Sequence, residues 1–458
     1  MSIALRPVKK PELMRALPTV LKDETMLVRK QKVIEGMERW GLDVLILYAD
    51  VEYSGNFEYL TGFIPRFEEA LLILHRTGRV CMILGNENLD KCRRSRIDAE
   101  PLLFSGFSLP NQPDDSADAL DGLLRKAGLA PDESVGVVGW KLMEKKGQKG
   151  ECEFDIPYYI MMAVKSVMNG RGSLVNAAGL FLDPDCGVRI TADADEIAHY
   201  EYGASLASNC VQDAMDALAV GRSEIETANA MRTDGQRNSV VTVCAFGERF
   251  VKGNLYPSGK KLSLGDPVSI TVGMKGGLSS RSGYAVYEEG QIPVPAYIES
   301  LAMPYFNAQK IWLETLRIGL TGGQLYDAVE SALPRSEFRW YLNPGHFTAD
   351  EEWTSSPVYA GSRIRFKSGN MIQLDIIPKK PGFGGAGAED GLVMADETLR
   401  RQLRKEYPKL WQRMQIRRDY IREELGIQIG EELLPLSNTL AYHMPLFLNR
   451  EMAFTAAN

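Results

Sequence analysis

The chain has 458 residues, 45% of them hydrophobic and 25% charged, with a formal net charge of −7 and a pI near 5.5. That length exceeds what one core normally fills, so two domains are expected. The acidic balance argues against nucleic acid or an anionic membrane as the main partner. The start of the chain, Met1-Ser-Ile-Ala-Leu-Arg-Pro-Val-Lys-Lys10, has no sustained apolar run, so no signal peptide is expected, and no stretch is apolar for long enough to cross a bilayer. Six cysteines are scattered without C-x-x-C pairing, which suits free thiols in a reducing compartment and points to the cytoplasm.

In chain order, apolar positions at Leu27, Val33, Ile34, Met37 and Trp40 predict a helix stopped by Gly41. Asp43–Tyr48 reads as a buried strand, and Glu69–His75 with Arg79–Leu84 as a hairpin around Arg76-Thr77-Gly78. A helical pattern near 114–127 and the strand Ser134–Gly139 complete an alternating α/β domain over residues 1–188. Leu182–Gly187 is rich in turn residues and reads as the linker to a second domain, 189–458.

The second domain opens on a long amphipathic helix with a capping box at Asp193 and Glu196, followed by another at Ser223 and Glu226. Residues 240–290 read as β-structure, and 300–318 and 321–333 as helices. Met371–Ile377 and Gly391–Ala395 are short apolar strands, and 397–425 a charged helical tail interrupted at Pro408, its Arg/Glu alternation most simply a solvated face. The densest chemistry lies in 341–395, where His346, Asp375 and Glu389 sit at or beside predicted strands that can hold side chains firmly. Cys244, in an apolar strand, is expected to be inert.

Several of these segments together resemble the creatinase, prolidase and aminopeptidase P ("pita-bread") family. They are Asn56–Gly62, Asp195-Glu-Ile197, Leu264–Val268, Pro344-Gly-His346, Gly369–Ile372 and Ala388-Glu-Asp390, in that order. The resemblance implies an α+β fold, with a curved antiparallel sheet flanked by helix pairs behind a smaller α/β domain, and a homodimer. Family peptidases bind two divalent ions through two Asp, one His and two Glu. Here His346 falls on the metal histidine, Glu389 on the last glutamate and Asp375 on the first. Thr271 stands where the first aspartate belongs, and Arg281 or Ser282 where the second does. Asn254 and Trp353 replace two histidines that contact substrate in the family.

Two dications matched by so few carboxylates would be costly in a partly desolvated cleft, so no dinuclear metal centre is expected. A single ion held by His346, Asp375 and Glu389 is the alternative. The resemblance then implies a metal-independent hydrolase of a C–N bond in a small amide, amidine or dipeptide-like molecule. In it His346 moves the proton, Glu389 and Asp375 orient or share it, and Arg281, Asn254, Trp353 and Thr271 line the substrate site. Arg281 has two open roles, binding a substrate carboxylate or neutralising the acids as a structural pair. A catalytically silent binding protein and a single-metal Xaa-Pro peptidase are the competing readings.

Overall fold

The computed structural model describes residues 3–113, 118–145, 148–253 and 256–456. It divides into two compact units, Leu21–Arg189 and a larger one built from Met1–Val20 with Ile190–Asn458. The first twenty residues, assigned by the sequence to the N-terminal domain, thus belong to the larger unit. The reason is a strand pair: Ile3–Pro7 lies antiparallel to Met452–Ala456, with Ile3 opposite Ala456.

The smaller unit is a six-stranded mixed sheet in the order Glu100–Leu103, Val80–Leu84, Ala70–His75, Val44–Ala49, Ser134–Val138, Ser173–Asn176. Its central strands are apolar on both faces because both faces are covered. Leu45, Leu47, Leu72 and Met82 pack with Val33 and Met37 of the helix Asp23–Trp40. The alternate residues Ile46, Ile73, Cys81 and Val135 pack with the helices Leu120–Lys126 and Tyr158–Met168. Helix Asp23–Trp40 ends, as expected, at a left-handed Gly41. Of the predicted helical stretch 114–127, residues 114–117 lie outside those described.

The larger unit carries a seven-stranded antiparallel sheet. Its path runs Val243–Phe246, Pro267–Met274, Gly277–Tyr284, Gly387–Met394, Met371–Leu374, His346–Phe347, with Leu433–Pro435 also on Gly387–Met394. The long helix Ala194–Ala217 starts at the predicted capping box, where Asp193 accepts from the Glu196 amide and Glu196 from the Asp193 amide. It lies so close to the hairpin turn that a Cβ on Gly203 would come within 1.9 Å of the Lys275 carbonyl oxygen. Capping boxes also form at Ser223/Glu226 and Thr321/Gln324.

The strand Gly387–Met394 begins earlier than its apolar run, so Glu389 and Asp390 lie inside the ladder and not beside it. The charged tail forms two helices, Glu397–Glu406 and Pro408–Glu423, broken where Pro408 has no N–H to continue the first. Its second helix is not a solvated face. Arg413 and Arg417 both bind the buried carboxylate of Glu201 on the long helix, at 2.7–2.9 Å, and Arg418 donates to the carbonyls of Gly430 and Leu433. Among the described residues no helix is long and apolar enough to cross a membrane.

Candidate functional site

Strand register sorts the chemistry onto two faces of the larger sheet, because alternate residues of a strand point to opposite sides. Ser280 is opposite Glu389, His346 opposite Gln373, and Gln373 opposite Gly391. Glu389, Gln373, Asp375 and His346 therefore share one face with Ser280, Ser282 and Thr271. Arg281 and Asp390, each one residue out of step, occupy the other.

His346 is seated by its neighbours. Gly345 adopts φ +127°, a conformation open to glycine, with the Pro344 carbonyl held by the Trp312 indole at 2.7 Å. The chain then turns back on itself. The Phe347 amide donates to Ser355 O and the Thr354 amide to Phe347 O, so residues 348–353 form a tight loop over the histidine. Asp350 braces that loop through the Tyr200 hydroxyl at 2.9 Å and the Lys275 ammonium at 3.3 Å. Its tip brings back Glu352 and Trp353.

The result is a buried imidazole ringed by acids. Nε2 of His346 lies 3.2 Å from Glu352, 3.7 Å from Asp375 and 3.8 Å from Glu389. The approaches are off the line of a hydrogen bond, and Nε2 and Asp375 Oδ1 are both buried without a hydrogen-bond partner. On the other side of the ring Nδ1 sits 3.2 Å from the Phe347 carbonyl, which can only accept, so Nδ1 carries the proton. In a neutral ring Nε2 would then turn a lone pair toward three acceptor-only carboxylates. A positive species has to resolve that.

Protons are one such species. Burial pushes the His346 imidazole down, but the charges of Glu352, Glu389 and Asp375 override it and raise its pKa well above the ordinary value. Burial raises Asp375 to about 6, against the opposing pull of His346. Burial and the neighbouring Asp375 hold Glu389 well above the usual carboxylate range. Gln373 Nε2 donates to Leu278 O at 2.8 Å and reaches Glu389 Oε1 at 3.4 Å.

Of the residues singled out in the sequence, His346, Asp375 and Glu389 are brought together. Trp353 stands at the mouth, about half exposed, its ring centroid 6.2 Å from that of His346. Thr271 shares a 2.7 Å hydroxyl–hydroxyl hydrogen bond with Ser280, in the row leading to Glu389. Asn254 lies outside the described residues. Arg281 as a substrate-binding group is a correction. Its guanidinium is buried on the opposite face, paired with Asp390 at 2.6 Å and donating to the carbonyls of Tyr442, Ser280, Glu389 and Thr439. It neither reaches a ligand nor neutralises Glu389. Glu352 was missed; the only signal was the acidic pair Glu351-Glu352 just before Trp353. As expected, Cys244 is buried, its thiol pushed up to about 12 by burial.

One group among the described residues could hold a metal ion. His346, Glu352 and Glu389 offer ligand atoms within 4.8 Å of one another, and Asp375 Oδ2 lies 3.7 Å from His346 Nε2 beside them. Toward the hairpin, where a second ion would need anionic oxygens, the described residues of this face include the hydroxyls of Ser269, Thr271, Ser280 and Ser282.

No protein-family model and no curated protein sequence matches the chain. Solved structures do. A prolidase from Thermococcus sibiricus superposes with a TM-score of 0.63 at 16% identity, over 81% of this chain and 94% of that one. The dipeptidase PepE from Mycobacterium ulcerans gives 0.61 at 18% identity, over 82% and 94%. An X-Pro aminopeptidase from Thermotoga maritima gives 0.62 at 14%, over 80% and 95%. The chain has a prolidase-type fold. At such identities the likeness is one of architecture, and what this prolidase-type chain does has to be argued from its own side chains.

Proposed function

We propose that the chain is a hydrolase of a C–N bond in a small amide or dipeptide-like molecule, working through His346, Asp375, Glu389 and Glu352. The observation that carries this reading is the unpartnered, buried Nε2 of His346 with three carboxylates at 3.2–3.8 Å. An imidazole and three carboxylates gathered in one cluster put proton-donating and proton-accepting groups side by side, as amide hydrolysis requires. The likeness in architecture to peptidases and prolidases supports the same class.

Amide hydrolysis needs a proton taken from the attacking water and one given to the leaving nitrogen. Asp375, titrating at about 6, is ionised near neutral pH and accepts the first. His346, kept protonated by its acidic neighbours, delivers the second. Glu389 shares a proton with Asp375, and Glu352 holds the imidazolium in place. The carbon gains the oxygen of water and the C–N bond breaks, with the His346 proton on the amine and water's proton on Asp375; passing that proton from Asp375 to His346 restores both groups.

A second reading is favoured by the ligand atoms lying within 4.8 Å of one another: one divalent ion held by His346, Glu352 and Glu389. Such an ion would polarise the scissile carbonyl and lower the pKa of water. A panel of dipeptides, amides and amidines, assayed with and without chelator, tests both. Turnover that survives chelation and is lost in His346→Ala supports the first reading; turnover restored by a single equivalent of metal supports the second. Stabilisation by a ligand with no turnover in either condition removes both and leaves a binding protein. A homodimer belongs to the same reading, and sedimentation equilibrium tests it.

A further inference from the structure

The larger sheet sends its only buried arginine of this region away from the acids. Arg281 is consumed on the opposite face by Asp390 and four backbone carbonyls. Among the described residues no lysine or arginine comes within ion-pair distance of Glu352, Asp375 or Glu389; their only cationic neighbour is His346. Among the described residues that face also carries the hydroxyls of Ser269, Thr271, Ser280 and Ser282 and the amide of Gln373. A substrate carboxylate placed here would meet the Glu352 carboxylate and the proton-sharing pair Asp375 and Glu389, with no guanidinium or ammonium among the described residues and only the already acid-ringed His346 to receive it. A protonated nitrogen would meet acceptors, including the unpartnered Asp375 Oδ1, and at the mouth the half-exposed face of Trp353, which attracts cations.

We infer that the site selects a substrate with a protonated amine or amidine and no carboxylate beside the scissile bond: an amino-acid amide or amidine and not a free dipeptide. This rests on the hydrolase reading above and narrows it. The substrate's cation occupies the position between Glu352, Asp375 and Glu389 that a metal ion or extra proton would otherwise fill. A free dipeptide carries the same ammonium but brings its carboxylate into an acid-lined pocket, so amidating that end removes the repulsion.

The test is a matched series on the purified full chain in chelator: a dipeptide, its C-terminal amide, and the N-acetylated form of that amide. Binding is read by calorimetry and cleavage by release of amine. The cationic amide is expected to bind at least about tenfold more tightly than either companion, with an affinity that falls as salt rises. Glu352→Gln should shrink that preference, weakening the cationic amide more than the acetylated compound; should this variant not fold, the wild-type series alone decides. Equal or better binding of the dipeptide or the acetylated amide overturns the inference. If the dipeptide is also the one cleaved, the hydrolase reading survives and only the inference falls. Preferential binding of the amide with no cleavage leaves the inference standing and removes the hydrolase. No binding by any of the three removes both.

Discussion

Arg281 and Asp390 form a fully buried ion pair at 2.6 Å, with Ser279 and Thr439 hydroxyls completing the carboxylate and carbonyls completing the guanidinium. Removing one partner of such a pair leaves an uncompensated buried charge. Arg281→Ala is therefore expected to lower unfolding stability by about 3–5 kcal/mol, measured by urea titration, while replacing both by apolar residues costs much less. A small loss in Arg281→Ala, accompanied by a specific loss of substrate affinity, would contradict the structural role.

His346 stands differently. It is buried but makes no hydrogen bond through Nε2, so His346→Ala is expected to keep the fold while turnover falls by a factor of about 10²–10⁴, the usual contribution of a positioned acid or base. Steady-state kinetics beside a thermal melt checks this; unchanged kcat would remove the proton-transfer role.

Glu352 raises the pKa of His346. Glu352→Gln should therefore lower it, moving the alkaline limb of the pH–rate profile toward acid, and imidazole NMR in the same variant should show the same direction. A profile that does not move would place the Glu352 charge outside the working site.

The ion-free protein has a definite pH signature. Asp375 binds its proton more tightly folded, at about 6, than its ordinary value of 3.8, so its contribution to stability is full below about 3.8 and lost as pH rises to about 6. His346 behaves likewise, its contribution full below 6.5 and lost only as pH passes its raised folded value. The stability difference between wild type and Asp375→Asn, followed by urea midpoint across pH 4–8, should change chiefly between about 4 and 6, to the disadvantage of wild type at the higher pH. A difference independent of pH would mean that Asp375 titrates normally.

Chelator-treated protein titrated with Mn²⁺ or Zn²⁺ should take up no more than one ion per chain, with proton release and an affinity that rises with pH, because ion and protons compete for the same carboxylates. Two tightly bound ions would refute that limit.

The order of strands and helices was legible because capping boxes and apolar runs are local: Asp193/Glu196, Gly41 and Thr321/Gln324 all end or begin helices where the pattern says. The trio His346, Asp375 and Glu389 was legible from motif order. The direction of Arg281 was not, since strand parity flips with a one-residue shift in register, and register is decided by the partner strand. Glu352 was hidden for another reason: its loop is held by Tyr200 and Lys275 through Asp350, contacts with elements distant in sequence. Distance likewise misled the reading of the second tail helix, whose Arg417 looks solvated until Glu201 is placed beside it.

Ile3–Pro7 and Met452–Ala456 pair although nearly the whole of both units lies between them in the chain. Closing so long a loop is entropically expensive and comes late. A chain emerging from the ribosome cannot zip this ribbon until Met452–Ala456 has been made, so the larger unit is completed later, while Leu21–Arg189 is free to fold earlier.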